Sequence, residues 1–520
     1  MDGLENKTTN VLSHRKNLRV KLIVEGAIIG IITGLIIVLN RIAIEKLSSI
    51  FNKVYSSSKG NPMYIMLLFL GLILIGYLVG LLVKKEPMIC GSGIPQVEGI
   101  LVKKIEINWL RVLINKFIGG VLCLGSGLSL GREGPSVQMG AAIGQGFSRI
   151  FKRVNVEEKY LITSGSSAGL AAAFNAPLSG VMFSLEEAHK NFSPLALLSA
   201  MAAALAADFT TKQFLGVAPA LNFAKVIALP LKYYWTLIIL GIFVGISGVI
   251  FNSGILKTQK LYGKFKKIPV QYKTIIPFII TGIAGLVSPL LIGGGHNLIM
   301  SLPEKNFTIL ALITFLIIKF ILVFLCFGSG VPGGIFFPLL VLGALVGNIC
   351  GLIFCAAIGM PNIYIINFII LAMAGHFTAI VKAPITGIIL ITEMTGSFEH
   401  LLPLAIVSLI AYITSDILNS EPIYESLLEN LLKKNGNNFE GDSKTKTLIE
   451  HCVHIGSNIS GKKIKDANLP SECLVVAIKR GTKEILPRGN SVILNGDYIV
   501  ALVDEDKASD ALENLRKICT

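Results

Sequence analysis

Long apolar segments recur along most of this chain, and they constrain its fold more than any other feature. A helix needs about 20 apolar residues to cross a bilayer. Several segments reach that length, whereas others are too short or too rich in glycine to cross alone; they lie at residues 22–39, 63–83, 110–130, 136–150, 160–185, 194–207, 233–251, 275–292, 308–327, 335–358, 363–380, 385–393 and 401–418. With a mean hydropathy of +0.69 and 52% hydrophobic residues, the chain is predicted to be an all-α polytopic membrane protein.

The short segments carry a second implication. Lipid has no partner for a bare backbone N–H or C=O group, so broken helices occur in membranes only where the backbone faces protein or a water-filled cavity. Many short, tilted and broken helices therefore predict a transport pathway through the protein.

The charge of the chain would suit nucleic-acid binding, but its distribution favours a membrane explanation. The net charge is +15, and only two acidic residues precede the first apolar segment. The basic residues before it are Lys7, Arg15, Lys16, Arg19 and Lys21. Because such an excess marks a cytoplasmic flank, residues 1–19 are predicted to be a cytoplasmic segment, and no nucleic-acid partner is expected. The eight cysteines have no C-x-x-C spacing, so we interpret them as small core residues and predict no metal or other cofactor.

Three pairs of segments match each other in the same order and at nearly constant spacing. The first pair shares GSG, G-x-x-x-P and G-A-x-x-G at an offset of 203 residues, the second shares AP-x-x-G at 207, and the third is a weaker match at 202. The pairs are GSGLSLGREGPSVQMGAAIG (125–144) with GSGVPGGIFFPLLVLGALVG (328–347), APLSGVMFSLE (176–186) with APITGIILITE (383–393), and GSGIPQ (91–96) with GGGHNL (293–298).

These matches predict that the membrane part, residues 20–428, consists of two related halves, about 20–225 and 226–428. Repeats in transporters are commonly inverted, and the substrate is then held near the midplane by the ends of discontinuous helices. We therefore expect two inverted repeats and look for the site at the glycine-rich helix starts.

The glycine-rich starts have the chemistry of an anion site. In GSGIP (91–95), GREGP (131–135) and GGIFFP (333–338), glycine permits close backbone approach and proline suits a first helical turn. A helix amino terminus provides unpaired N–H groups and about half a positive charge, which replace the water of a desolvated anion. The alternative is that these glycines serve mainly close helix packing. GSGVPG (328–333) also fits the G-x-G-x-x-G pattern, but it lacks the strand and later acidic residue of a nucleotide fold.

Together with the tyrosine of EPIYESL (421–427), these motifs make the membrane part resemble the chloride channel and chloride/proton antiporter family. The resemblance extends over about 20–428. It implies a homodimer in the cell membrane with one chloride pathway in each subunit, two inverted halves and both termini in the cytoplasm. It also implies a transporter rather than an enzyme, and the sequence contains no H-E-x-x-H, G-x-S-x-G or Walker motif.

The resemblance assigns roles to individual residues of the motifs. Ser92 and Tyr424 become side-chain ligands of the central anion, and Glu133 becomes a gate that competes with the anion and leaves when protonated. The backbone contributions to the central site are assigned to Ile335 and Phe336, and those to the outer site to Gly131, Arg132 and Gly134.

A second glutamate separates proton-coupled antiporters of that family from passive channels. The matching residue is Glu187 in FSLEEAHKNF, which the resemblance assigns to internal proton transfer; a solvated helix end is the alternative. Glu186 matches Glu393 in the repeat and is expected to be structural. We therefore favour a secondary active chloride/proton antiporter, with a passive gated chloride channel as the alternative. His296 and His376 are interpreted as packing or interfacial residues and not as ligands.

The composition changes after Tyr424. Residues 429–446 are polar and are predicted to be a linker, followed by a small cytoplasmic α+β domain at 447–520. Strands are predicted in CLVVAIKRG (473–481) and SVILNGDYIVALV (491–503), and a helix in EDKASDALENLRKI (505–518). The stretch 461–502 resembles the TrkA-C/RCK-C ligand-binding domain of potassium-transport regulatory subunits. This implies a regulatory ligand such as a cyclic dinucleotide, with a dimer-stabilising module that binds no ligand as the alternative.

Overall fold

The computed structural model describes residues 2–519 apart from residues 59, 191, 222, 224, 225, 266, 435–445, 455, 471, 482, 505 and 506, with side chains from Leu18 onward except at positions 434 and 509. The chain divides into two compact units near Leu431. Among the described residues, eight helices are long and apolar enough to cross a membrane.

The first half of the membrane unit contains α1 (Asp2–Ser58), α2 (Pro62–Lys85), α3 (Ile94–Leu101), α4 (Trp109–Gly125), α5 (Glu133–Ile150), α6 (Asn155–Phe174), α7 (Pro177–Phe183) and α8 (Pro194–Leu215). The second half contains α9 (Trp235–Lys264), α10 (Val270–Lys273), α11 (Ile275–Val287), α12 (His296–Ser301), α13 (Ile309–Gly328), α14 (Phe336–Ile358), α15 (Ile365–Val381), α16 (Pro384–Thr395), α17 (Leu401–Ile417) and α18 (Ile423–Lys434).

Several helices differ from the apolar segments of the sequence. The helix α1 starts at Asp2 and includes the predicted amino-terminal segment. The apolar segment 160–185 is interrupted, because Asn175 adopts a left-handed conformation at the end of α6 and Pro177 begins α7. Residues Ser184–Ala188 then form a single π-helical turn, a local widening that is often found at functional sites.

The two halves are inverted repeats, as the sequence predicts. Helices α12 and α14 begin 202 and 203 residues after α3 and α5, and α16 and α17 both begin 207 residues after α7 and α8. Gly131 and its repeat partner Gly334 form an antiparallel bridge, in which each backbone N–H donates to the carbonyl of the other at 2.7 Å. When a residue pairs antiparallel with its own repeat partner, a local two-fold axis passes between the two residues. The two halves therefore run in opposite directions at this point.

Glycine also permits the closest helix contact of the first half. Gly140 on α5 and Gly165 on α6 face each other, and a Cβ atom on either would lie 2.0 Å from the carbonyl oxygen of the other. Any larger side chain at these positions would separate the two helices. Some of the glycine-rich pattern therefore does serve packing, as the alternative interpretation held.

The second unit contains a four-stranded antiparallel sheet of order β1-β4-β2-β3 and a closing helix. Its elements are β1 (Lys446–Cys452), β2 (Leu474–Arg480), β3 (Lys483–Ile485), β4 (Tyr498–Asp504) and α19 (Ala508–Cys519). The predicted strands at 473–481 and 498–503 and the predicted helix are present. Ser491 and Val492 lie outside the strands, and Val492 forms only a bridge with Lys463, so the prediction of a strand there was wrong.

Apolar packing and an ion pair between a buried carboxylate and a partly exposed arginine hold this second unit together. Ile449, Ile478, Ile499 and Leu515 belong to its buried core, and burial raises the pKa of Cys519 to about 11, so that this thiol is inert at neutral pH.

Asp497 accepts hydrogen bonds from Nε and Nη2 of Arg480, both at 2.7 Å, and from the backbone N–H of Leu494 at 2.8 Å. Burial alone would raise the pKa of Asp497, but these bonds outweigh it and hold the pKa below its ordinary value.

Candidate functional site

Backbone hydrogen bonds join the three glycine-rich motifs at the centre of the membrane unit. The Gly131–Gly334 bridge connects GREGP to GGIFFP. The backbone N–H of Gly333 donates to the carbonyl of Gly91 at 3.0 Å, which connects GGIFFP to GSGIP. Helices α3, α5 and α14 therefore begin close together, and their amino termini converge.

Glu133 is the first residue of α5 and is only 2% exposed. Its Oε2 atom accepts no hydrogen bond from any described group. A Cβ atom on Gly131 would lie 2.3 Å from this oxygen and 3.1 Å from the backbone nitrogen of Phe337, so only glycine leaves room for the carboxylate. The guanidinium Nε of Arg132 lies 4.0 Å from Oε1 of Glu133, while another nitrogen of Arg132 lies 3.8 Å from Glu45.

Ser92 lies beside the start of α5. Gly93 has a φ of +93° and brings the chain into α3 in the left-handed conformation. The Oγ of Ser92 accepts from the backbone N–H of Ile94 at 3.3 Å. A Cβ on Gly134 would lie 2.9 Å from both the Cβ and the carbonyl oxygen of Ser92. Gly134 therefore allows the GSGIP and GREGP motifs to touch.

An aromatic cluster connects the start of α14 to Tyr424. Ile335 and Phe336 are fully buried at this start. The ring centroid of Phe336 lies 5.5 Å from that of Phe183, and the Phe183 ring lies edge-on to Tyr424 at 6.3 Å. Tyr424 is fully buried, and its hydroxyl has no hydrogen-bond partner among the described groups. The phenol also lies within electrostatic range of Glu133, so the predicted site residues form one neighbourhood.

A cavity of about 1050 Å³ leads to Glu133. Its lining includes three basic side chains, two acidic side chains and a histidine, namely Arg41, Lys53, Arg132, Glu45, Glu133 and His296. Arg41 donates to the carbonyl of Ala172 at 3.1 Å and to Asn175 Oδ1 at 3.0 Å, which fixes its guanidinium in place.

The two adjacent glutamates of the π-helical turn have different environments. Glu187 is buried, and its Oε1 atom has no hydrogen-bond partner within the described part of the chain. The carboxylate interacts electrostatically with Glu98, which is 3% exposed on α3, and with Lys190. Lys190 forms an ion pair with Glu425 on α18. Glu187 therefore faces an internal acidic cluster that has a basic residue at its more exposed end.

Glu186 has a structural position, as the sequence predicts. It accepts from the backbone N–H groups of Ile385 and Thr386 at 3.3 and 2.8 Å, and from the hydroxyl of Thr386 at 2.7 Å, at the start of α16. Glu393 does the same for α7, accepting from the N–H groups of Leu178 and Ser179 and from the Ser179 hydroxyl. Each repeat thus caps a helix of the other, which is a second sign of the two-fold relation.

The two histidines have different environments, because His376 is packed in the interior whereas His296 is exposed at the cavity. His376 is fully buried, and its ring nitrogens lie 2.7 Å from the Leu339 carbonyl and 3.1 Å from the Ser247 hydroxyl. His296 lies at the cavity, where it bonds the Ala220 carbonyl at 2.9 Å and stacks on Phe337. Among the residues with described side chains, no cluster of three His, Cys, Asp or Glu residues would hold a metal ion.

Sequence reasoning missed three buried charged residues near the site, namely Glu98, Lys116 and Lys319. The two lysines occur in NKF and IKF at an offset of 203 residues, so a longer comparison of the repeats would have found them. Glu98 lies in GSGIPQVEG without a counterpart in the second half. Its proximity to Glu187 depends on how α3 packs against the π-helical turn.

The fold and the site together define a polytopic membrane protein in which two inverted halves meet at converging helix amino termini. Residues 75–416 match the family model described as voltage gated chloride channel, and residues 448–516 match that of the TrkA-C domain. The chain is 37% identical to the H(+)/Cl(-) exchange transporter ClcA of Salmonella typhi over 371 residues, which cover 70% of this chain and 78% of that relative.

Solved structures agree with this match. A slow cyanobacterial Cl-/H+ antiporter superposes with a TM-score of 0.75 at 31% identity, over 80% of this chain and 99% of the other. A CLC-type fluoride/proton antiporter shares the fold, with a TM-score of 0.63 at 24% identity over 76% of this chain and 96% of the other. The protein belongs to the voltage-gated chloride channel (CLC) family and carries a TrkA-C domain, which confirms the resemblance inferred from the motifs.

Proposed function

We propose that this protein is a secondary active chloride/proton antiporter of the plasma membrane, a homodimer with one pathway in each subunit and both termini in the cytoplasm. The observation that carries the proposal is a buried carboxylate, Glu133, with an unpartnered oxygen at the point where three helix amino termini converge. Helix amino termini favour an anion, and Glu133 is an internal anion that protonation neutralises.

Chloride binds at two positions along this pathway. At the central position Ser92 and Tyr424 supply hydroxyl donors, and Ile335 and Phe336 supply backbone N–H groups. The unpartnered hydroxyl of Tyr424 supports this role, because a buried hydroxyl without a partner is costly.

At the outer position Gly131, Arg132 and Gly134 surround the site that Glu133 occupies when it is charged. Protonation removes the negative charge of Glu133, so the side chain leaves the helix start and chloride enters. The adjacent cavity, which reaches Glu133 and is lined by Arg41 and Arg132, supports anion entry from that side.

Glu187 transfers protons between the internal solvent and Glu133. Its burial without a hydrogen-bond partner in the described part of the protein supports this role, because an intramembrane acid is functional unless it is paired. The neighbouring Glu186 is already engaged by three donors of α16 and is unsuited to a relay. Lys190 and Glu425 lie where the relay would meet solvent.

The TrkA-C domain provides regulation by a small ligand, for which a cyclic dinucleotide is the candidate. The Asp497–Arg480 pair and a separate apolar core support a domain that folds around its own contacts. Equilibrium dialysis of the full-length protein with cyclic di-AMP, cyclic di-GMP and ATP tests this role; binding of none of the three would favour the dimer-stabilising alternative.

The transport proposal is tested with purified protein in liposomes. With an outward chloride gradient and the potential clamped by an ionophore, the protein should drive protons against their own gradient. Chloride flux without proton movement would establish the passive channel instead. Glu133→Gln serves as the matched control, because it removes the titrating gate and should leave chloride flux without proton coupling.

A further inference from the structure

The chain leaves the π-helical turn through a lysine with an unfavourable backbone conformation. Lys190 has a φ of +52°, in the left-handed region that residues with a Cβ atom rarely adopt. Such a conformation costs free energy and persists only where the surrounding contacts impose it. Because Lys190 follows Glu187 by three residues, we searched its contacts for a function at the internal acidic cluster.

The ammonium of Lys190 forms an ion pair with Glu425 in the first turn of α18. The two side chains are 45% and 49% exposed, so water screens the pair and it adds little to stability. Stability therefore does not account for a lysine that is held in an unfavourable conformation. Glu425 directly follows Tyr424, which places the pair beside the proposed central anion site.

Two buried carboxylates lie behind this ion pair. Glu98 is 3% exposed and Glu187 is 5% exposed. The Oε1 atom of each has no hydrogen-bond partner among the described groups. Both carboxylates interact electrostatically with Lys190, which favours their charge, and with Glu425, which opposes it. Three carboxylates thus share one ammonium.

The elements around the π-helical turn carry other titratable groups. Lys159 on α6 interacts with His189, whose Nδ1 atom lies 2.8 Å from the Thr163 hydroxyl. Glu186 caps α16, and α7 carries no titratable group. The remaining groups are Glu157, Glu158 and Tyr160 on α6, Asp208 and Lys212 on α8, and Tyr424, Glu429 and Lys433 on α18. Among the described side chains, Lys190 is the one cation whose charge reaches both buried carboxylates.

Glu425 and the buried carboxylates compete for the ammonium of Lys190. A nearby positive charge favours the ionised form of a carboxylate, and a nearby negative charge disfavours it. A carboxylate that transfers protons must both accept and release them. Without Lys190 the buried acids would retain their protons, whereas a direct ion pair with Lys190 would prevent Glu187 from accepting one.

We propose that Lys190 and Glu425 are positioning residues that set the pH range in which Glu187 exchanges protons with the internal solvent. Lys190 favours the charged form of Glu187. Glu425 holds Lys190 back from the buried acids and opposes their charge. Neither residue carries the transported proton itself. This inference rests on the proposed proton transfer through Glu187.

The experiment removes each side of the ion pair separately. Full-length protein in liposomes, driven by a chloride gradient at clamped potential, is assayed at a series of pH values that are equal on both sides. Lys190→Met and Lys190→Gln remove the positive charge, Lys190→Arg keeps it, and Glu425→Gln removes the partner. Lys382→Met is the matched control, because Lys382 is also left-handed (φ +66°) and lies 3.3 Å from Asp416.

We expect Lys190→Met and Lys190→Gln to raise the pH of half-maximal proton flux by about one unit, since the buried acids then hold their protons more strongly. Glu425→Gln should lower this pH by about half a unit, because Lys190 is then free to act on Glu187. Lys190→Arg should restore the natural value, and Lys382→Met should leave it unchanged.

The opposite directions distinguish this role from a structural one. Either substitution breaks the same ion pair, so a merely structural pair would move the pH profile in the same direction for both. Shifts of equal sign, or no shift in either variant, would overturn the inference.

A second test uses the Glu187→Gln background, in which proton transport through Glu187 is absent. Adding Lys190→Met there should leave the pH profile of chloride flux unchanged, and a changed profile would show that Lys190 acts elsewhere and overturn the inference. A natural protein that moves chloride without protons would overturn the proposed antiport itself. An unshifted profile in a coupled natural protein would overturn only the role of the ion pair.

Discussion

The reciprocal caps between the repeats allow a prediction with a magnitude. Replacing Glu186 by Ala removes the acceptor of two backbone N–H groups and one hydroxyl at the start of α16. An unsatisfied buried donor costs about 1–3 kcal/mol, and loss of a helix cap costs about 0.5–2 kcal/mol. Because Glu186 is only half-buried, water can hydrogen-bond some of the donors that the substitution frees. We therefore expect the free energy of unfolding to fall by about 2–4 kcal/mol.

That free energy translates into a modest shift in melting temperature. A unit the size of Met1–Leu431 melts with an entropy of about 0.9 kcal/mol/K, so each kcal/mol lowers Tm by about 1 °C. Glu186→Ala should therefore lower Tm by about 2–4 °C in a thermal-shift assay in detergent. Glu393→Ala is the matched control, since it removes the equivalent cap from α7 and should lower Tm by a similar amount.

The same assay distinguishes the two adjacent glutamates when it is combined with flux. Glu187→Gln should stop proton transport, leave chloride movement largely intact and hardly change Tm, because the charged group has no partner to lose in the described structure. Glu186→Gln should remain coupled. Loss of coupling in Glu186→Gln at unchanged Tm, with Glu187→Gln fully coupled, would refute the assignment of a cap to one residue and a relay to the other.

Three further predictions concern other groups. The Glu133→Ala variant should transport chloride without pH dependence or proton coupling. Coupled proton transport in this variant would refute the assignment of Glu133 as the gate. Tyr424→Phe should weaken chloride binding by about three- to tenfold, since one hydrogen bond is worth about 0.5–1.5 kcal/mol; an unchanged affinity by calorimetry would contradict the central site. Asp497→Asn should speed hydrogen exchange in β4 about tenfold at pH 7. Because the pKa of Asp497 is lowered in the folded domain, its stabilising effect is complete above the unfolded pKa of about 3.9 and is lost as the pH falls through the lower, folded pKa. The difference should therefore begin to shrink below about pH 4 and vanish only below the folded pKa; a difference that did not shrink on acidification would show that charge is not its cause.

Much of the architecture follows from the sequence. Repeated apolar segments of about 20 residues can form few stable structures other than membrane-spanning helices. Three motif pairs at offsets of 202 to 207 residues fix the two halves, because a duplicated fold places equivalent residues at equivalent positions. The roles predicted for Ser92, Glu133 and Tyr424 came from the family resemblance of the motifs, and they stay predictions.

The sequence was least informative where a local choice depended on distant contacts. The end of α6 at Asn175 and the π-helical turn at Ser184–Ala188 interrupt a segment whose composition is continuously apolar. Val492 was predicted to lie in a strand, but it pairs only with Lys463. Backbone pairing partners decide such cases, and they are not encoded within the segment itself.

The sequence by itself determined the membrane class, the duplication and the motifs on which the family resemblance rests, because hydropathy and repeated motifs are local properties. Only the tertiary structure decided which charged groups meet. Three contacts join segments distant in the chain: the pairing of Glu186 with α16, the proximity of Glu98 to Glu187, and the hydrogen bonds of the buried Lys116 and Lys319 to glycine-rich loops. Burial removes the water that would otherwise screen these charges, so their roles depend on packing that no single segment specifies.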